Sequence, residues 1–165
     1  LNHFNVDSVM KATIEKEGIE AKRHTISPSI FNNILWAGTV QEGDEIYHFS
    51  RYSLFDRERA FEPFKSVPGQ HDLLANHQNT RELRILNWFT KGYIGYMPLD
   101  SGRIQVNDLR YGLFGDDPEN PNHYIFTWVV DTTTTPITIL QRAGPSEDVD
   151  PGEMLGNLWE RLKGI

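Results

Sequence analysis

The charged residues Asp108 and Arg110 are two positions apart, and Lys91 precedes them by a short stretch of chain. Residues two apart in a strand face the same side, so this carboxylate and guanidinium can pair or share a ligand. One interpretation is a catalytic site in which Asp108 is the acid or base and Arg110 and Lys91 bind an anionic group. The other is a structural ion pair, because buried charges persist when they are paired. We favour the structural pair, and the catalytic site remains the alternative.

Large aromatic residues could form the walls of a binding site. The candidates are Trp36, Tyr52, Trp88 and Tyr124. Ligand pockets are lined mainly by apolar and aromatic side chains, with a few polar groups that orient the ligand. These residues therefore favour a small-ligand or peptide binding module as an alternative to an enzyme.

The histidines lack the spacing of a metal site. No two of them lie four residues apart, and the nearest pair, His71 and His77, has only Asp72 as an acidic neighbour. The chain has no cysteine, which excludes disulfides, thiolate ligands and a cysteine nucleophile. It also has no GxSxG elbow and no glycine-rich phosphate loop. We therefore predict no metal site and no cofactor within this chain.

The formal net charge of −7 argues against a nucleic-acid partner. Affinity for nucleic acid depends on Lys and Arg side chains that displace counterions from phosphates. The longest apolar runs, 34–38 and 124–130, are far shorter than the roughly 20 residues that cross a bilayer. With 165 residues and 38% hydrophobic residues, we expect a single soluble domain over 1–165.

The first half of the chain predicts one helix and a hairpin. Apolar residues at helical spacing indicate a helix over 5–17, with Asn5 as its N-cap and Gly18 as its end. A strand is predicted over 20–26 and is expected to end at Ser27 and Pro28. Two aromatic and branched stretches, separated by the turn residues 41–44, predict a β-hairpin.

The second half predicts one or two helices within 70–89 and a second hairpin of strands 93–98 and 103–109. The apolar run 124–130 predicts a central strand, followed by a final or edge strand over 137–140. A C-terminal helix is expected after Asp150, with a stripe of Leu155, Leu158, Trp159 and Leu162. The predicted fold class is α+β, with an antiparallel sheet built from hairpins.

Several motifs follow one another in a definite order. A stretch led by a proline, 28–36, ends in Leu35-Trp36; WFTKGY covers 88–93, DLRYG covers 108–112, and an aromatic strand follows at 124–128. Over about residues 20–130, this order and spacing resemble the C-terminal region of the YdjM-like family of inner-membrane-associated proteins named as metal-dependent hydrolases. The resemblance implies a longer protein whose N-terminal part holds several membrane helices and a histidine-rich metal motif. No residue of this chain matches that motif, so the divalent metal is expected in the missing membrane segment.

The resemblance also implies a location and partners. The chain begins at Leu1 and not at Met, so we expect a piece that follows the last membrane helix of a bacterial inner-membrane protein. The domain would then lie in the aqueous compartment, on the cytoplasmic side, with its own membrane segment and a further protein as partners. Our first hypothesis is an accessory domain that shapes substrate access or docks a partner. The binding module and the self-contained enzyme remain the alternatives.

Overall fold

The computed structural model describes residues 2–29 and 33–142. This part of the chain has an α+β fold with two four-stranded antiparallel sheets, in each of which the strands lie side by side in chain order. Sheet 1 contains β1 to β4, which are Ala21–Pro28, Leu35–Glu42, Ile46–Ser53 and Lys65–Pro68. Sheet 2 contains β5 to β8, which are Ile94–Pro98, Arg103–Asp108, Thr127–Asp131 and Thr138–Arg142.

The N-terminal helix, α1, covers Asn2–Glu17 and packs on one face of sheet 1. Its buried apolar residues meet Trp36, Val40 and Tyr52 of the sheet. The predicted end at Gly18 is confirmed, since Gly18 has a φ of 70°, which glycine adopts without steric cost. The helix begins before Asn5, which therefore lies within α1 and is not its N-cap.

The first hairpin, β2 with β3, forms as predicted, with Glu42 opposite Ile46 across the turn. Strand β1 continues to Pro28, although the sequence predicted that the strand would stop before this residue. Pro28 can be its last residue because β1 is an edge strand, where a proline need not donate to a neighbour. Short strand β4 forms the opposite edge of sheet 1.

The second half contains a 3-10 helix at His71–His77 and then helix α2 at Arg81–Phe89, which confirms the prediction of one or two helices within 70–89. Buried Leu83 and Leu86 of α2 pack on sheet 2. The hairpin of β5 and β6 is confirmed. The predicted central strand begins only at Thr127, and β8 forms the edge, as expected. The predicted C-terminal helix with Leu155, Leu158, Trp159 and Leu162 lies outside the described residues.

A third apolar cluster joins the two halves of the chain. It combines Tyr47, Phe49 and Val67 of sheet 1 with three residues from the second half, namely Tyr93, Leu109 and Tyr124. Both faces of sheet 1 are therefore covered, one by α1 and the other by this middle cluster. This explains why strand β3 shows no simple alternation of apolar and polar residues, because Tyr47, Phe49 and Tyr52 are all buried.

Candidate functional site

Asp108 and Arg110 form a bidentate ion pair. Arg110 donates from Nε to Oδ1 of Asp108 over 2.9 Å and from Nη2 to Oδ2 over 2.6 Å. The Asp108 side chain has no exposed surface, while that of Arg110 is 12% exposed. The hydrogen bond to Asp108 raises the pKa of Arg110 above its usual value. Both carboxylate oxygens are thus engaged with the guanidinium, which is the arrangement that makes a buried charge tolerable.

The spacing predicted that both residues lie on one face of a strand, and this prediction is wrong. Strand β6 ends at Asp108, and Arg110 belongs to the 3-10 turn Leu109–Tyr111. The Asp108 side chain also caps this turn, because its Oδ1 accepts a hydrogen bond from the backbone nitrogen of Arg110 over 3.1 Å. Asp108 therefore holds both the side chain and the backbone of Arg110.

Lys91 is not joined to this pair. Among the hydrogen bonds and ion pairs of the described residues, none involves its side chain, which is exposed. Its carbonyl oxygen and that of Gly92 accept hydrogen bonds from the Arg23 guanidinium over 2.6 and 2.7 Å. The guanidinium also lies over the Tyr93 ring, 4.0 Å from its centroid. We call these contacts the Arg23 bridge. Arg23 was not among the site residues predicted from the sequence, because its partners are far away along the chain.

The four aromatic residues predicted to line one binding site do not form a single site. Trp36 and Tyr52 face each other across β2 and β3 and are both buried in the cluster under α1. The Trp36 indole donates to the carbonyl of Asn33 over 3.0 Å. These two residues are therefore core residues that position the first hairpin.

Tyr124 lines a cavity of about 300 Å³ between β4 and the start of sheet 2. Its hydroxyl donates to the carbonyl of Pro118 over 2.7 Å, and burial raises its pKa, so the phenol stays neutral. The polar floor of the cavity is Asn107, which the sequence interpretation missed. No local spacing points to this residue, because the cavity forms only when the two sheets meet.

Trp88 lies on the outer face of α2 and is 79% exposed. Arg81, Arg84 and Ile85 occupy the positions of the same face at helical spacing, and all are exposed. We call these four residues, together with Phe89, the α2 face. The pattern of i, i+3, i+4 and i+7 is visible in the sequence and could have predicted this surface, whose inner counterpart is Leu83 and Leu86.

An aromatic row connects the α2 face to the ion pair. Phe89 contacts Trp128 edge-on at 5.8 Å, and the Arg110 guanidinium lies 5.4 Å from the Phe89 ring. The Arg110 guanidinium also lies 5.2 Å from the ring of Tyr111, which contacts Phe126 at 4.9 Å. The WFTKGY and DLRYG motifs are therefore neighbours in space, with Arg110 close to one aromatic ring of each motif.

A serine, a histidine and a glutamate form a hydrogen-bonded row across sheet 1. His48 Nδ1 lies 2.6 Å from the hydroxyl of Ser66, and Nε2 lies 3.1 Å from Oε2 of Glu42. The carboxylate can only accept, so in a neutral imidazole Nε2 carries the proton and Nδ1 accepts from Ser66. His48 is buried and Ser66 is exposed. The contact between serine and histidine is the one that general-base activation requires, although sequence spacing gave no sign of it.

Within residues 2–29 and 33–142, no cluster of three or more histidine or acidic side chains is arranged to hold a metal. No helix in these ranges is both long and apolar enough to cross a membrane. A comparison with protein-family models, with curated proteins and with solved structures finds no match.

Proposed function

We propose that this chain is an accessory domain of a bacterial inner-membrane hydrolase, and that the α2 face holds the domain against the anionic surface of the bilayer. The carrying observation is the chemistry of that face. Two large apolar side chains, Ile85 and Trp88, are 51% and 79% exposed. They lie between cations on an otherwise amphipathic helix, which is the composition of helices that rest in the membrane interface.

The charges of this surface support a lipid partner. Arg81, Arg84 and Lys91 are exposed, and they form no ion pair within the part of the chain that the structure describes. The chain as a whole has a net charge of −7, so a cationic face stands apart from the rest of the molecule. An anionic leaflet attracts such side chains by about 1 kcal/mol for each Lys or Arg.

The aromatic residues support the same orientation. Tryptophan is enriched at the level of the lipid headgroups, where its ring meets acyl chains and its N–H meets water. Phe89, which follows Trp88 in the chain, is 48% exposed, and its ring contacts the ring of Trp128. The assignment to a hydrolase rests separately on the resemblance of WFTKGY and DLRYG. Several apolar spans encoded directly upstream of residue 1 would support it, and a soluble upstream sequence would contradict it.

Flotation with lipid vesicles tests the proposal on the full 165-residue chain. We expect binding to vesicles that contain phosphatidylglycerol and much weaker binding to pure phosphatidylcholine. The double variant Arg81→Gln/Arg84→Gln should lose roughly thirtyfold in affinity, from about 1 kcal/mol for each cation. Added salt should weaken binding of the wild type more than binding of this variant, because salt screens exposed charges.

Matched control variants distinguish binding through the α2 face from nonspecific adsorption to lipid. Trp88→Ser should reduce binding to both kinds of vesicle, whereas Phe55→Ser should not, although Phe55 is also 57% exposed. Lys16→Gln removes a cation from α1 and should leave binding unchanged. Equal binding by all of these variants, or no binding to anionic vesicles, would rule out the lipid surface and leave a protein partner as the occupant.

A second candidate function, hydrolysis of a small ester at Ser66, is favoured by its contact with His48. In this reaction Ser66 Oγ adds to the acyl carbon while its proton passes to His48 Nδ1, and Glu42 accepts a hydrogen bond from the resulting imidazolium. His48 then protonates the leaving alcohol, and water releases the acid by the same steps. A fluorophosphonate probe should label Ser66 but not the exposed Ser101, and His48→Asn should abolish labelling. Mass spectrometry without an adduct at Ser66 would remove this candidate.

A further inference from the structure

The cavity between the sheets contains a buried polar group that has an unused hydrogen-bond donor. Asn107 lines the cavity and is only 1% exposed. Its Oδ1 accepts a hydrogen bond from Nε2 of Gln105 over 2.7 Å. Its Nδ2 has no acceptor among the described residues. Buried amide hydrogens almost always meet an acceptor, so this one requires an explanation.

The orientation of the Asn107 amide follows from its neighbours. Nε2 of Gln105 also donates to the backbone carbonyl of Pro121 over 2.7 Å. A carbonyl can only accept, so the nitrogen of Gln105 must face Pro121 and Asn107. The atom of Asn107 that meets this nitrogen must then be the oxygen. The NH₂ group of Asn107 is therefore the one that remains without a protein partner.

The remaining lining is apolar and nearly uncharged. Prolines contribute ring faces, and Tyr96 and Tyr124 contribute aromatic rings. Burial raises the pKa of both phenols, which are therefore neutral. Glu119 is the one charged residue in this lining, and Gln70 adds an amide at the rim. The prolines of the lining are Pro68, Pro98, Pro118 and Pro121.

These features limit the chemistry of a ligand. A hydrocarbon would leave the Asn107 donor unsatisfied, and an anion would meet Glu119 without a cation to balance it. A sugar has hydroxyl or carbonyl oxygens that can accept from Asn107 and C–H faces that pack on proline and tyrosine rings. The volume of about 300 Å³ is at the lower end of ligand pockets, which limits the ligand to one ring.

We propose that this cavity is a binding site for a neutral monosaccharide, in which an oxygen of the sugar accepts a hydrogen bond from Nδ2 of Asn107. The site is independent of the α2 face. It lies between Val67 and Pro68 of β4 and Gly95, Tyr96 and Met97 of β5. A ligand bound in this cavity would therefore contact both sheets.

An NMR titration of the full chain with N-acetylglucosamine and with methyl glucoside tests this site. We expect saturable shifts of the backbone amides of Gly95 and Met97 and of the side-chain NH₂ of Asn107 for at least one of the sugars. The dissociation constant should be about 1 mM or tighter. Asn107→Asp replaces the donor with an acceptor and should weaken binding by at least about tenfold. Asn87→Asp on exposed α2 is the matched control and should bind as the wild type does.

A second variant keeps the test valid if Asn107→Asp does not fold. Pro118→Trp places a large ring at a partly exposed position of the cavity wall and should block the sugar without removing the carbonyl that Tyr124 uses. Absence of saturable shifts with both sugars would overturn the proposal, as would wild-type affinity in Pro118→Trp. Binding of tetramethylammonium in the absence of sugar binding would also overturn it, because recognition would then depend on Glu119.

Discussion

Replacing either member of the Asp108–Arg110 pair should destabilise the fold strongly. Arg110→Met removes two charge-assisted hydrogen bonds, of 2.9 and 2.6 Å, and leaves a carboxylate that has no exposed surface. Such bonds each contribute about 1.5 to 3 kcal/mol, and breaking a buried pair costs roughly 3 to 5 kcal/mol. Since only the backbone N–H remains on Asp108, we expect a loss of about 4 kcal/mol in the free energy of unfolding.

Asp108→Asn should cost somewhat less. The new amide oxygen can still accept from Arg110, but the new NH₂ group faces the Nη2 donor, and the guanidinium loses its counter-charge. Arg110 keeps its contacts with the rings of Phe89 and Tyr111 and a small exposed surface, so we expect a loss of about 3 kcal/mol. The double variant Asp108→Asn/Arg110→Met should recover part of the loss, because no unpaired charge is left.

Urea denaturation of the four proteins, followed by circular dichroism, measures this cycle. Arg103→Met is a matched control, because its ion pair with Asp100 is exposed and should contribute less than about 1 kcal/mol. If both single variants at the buried pair unfold within about 0.5 kcal/mol of the wild type, the structural interpretation is wrong. Asp108 and Arg110 would then be the first residues to test for a ligand.

Three further outcomes can be measured. Gly38→Ala should destabilise the fold by about 1 to 3 kcal/mol in urea, because its Cβ would lie 2.7 Å from the end of Met10 and 2.8 Å from the Phe61 ring; wild-type stability would show that these tips move aside. The hydrogen bond from Lys11 holds the pKa of Asp7 below its ordinary 3.8, so the stability that Asp7 contributes is present above pH 3.8 and is lost as the pH falls below it. The melting temperatures of the wild type and Asp7→Asn should therefore converge in acid, and a constant difference would contradict this. Elemental analysis after dialysis should find no stoichiometric metal, and one zinc, manganese or iron per chain would refute that prediction.

Local patterns predicted most of the elements. Helix α1, the two hairpins and α2 follow from the spacing of apolar residues and from the turn residues between them. The division into two sheets could not be predicted in the same way. Strand β3 buries residues on both faces, so its sequence does not show which face meets α1 and which meets the other half of the chain.

The candidate sites also differ in whether their residues are close together in the sequence. Asp108 and Arg110 were predicted to pair because they are neighbours in sequence, and they do pair, although through a turn. The cavity around Asn107 combines four separate segments of the chain, and no spacing in the sequence brings them together. Trp36 and Tyr52 were predicted as walls of a binding site, but they lie in the core. The sequence could not distinguish the two roles, because a large aromatic side chain is suited to both.

The order of the strands has a consequence for the rate of folding. Each sheet is a meander, so the strands within a sheet pair with their neighbours in sequence. Hairpins with short turns, such as β2 with β3 and β5 with β6, form within about 1 to 10 μs. The contacts that join the two halves are much more distant, as in the Arg23 bridge, where the bonded residues are 69 positions apart. Long loop closures of this kind are slow and dominate the time that a chain needs to fold. We therefore expect two meanders that form early and a later docking step, which the Arg23 bridge completes by binding the turn after α2.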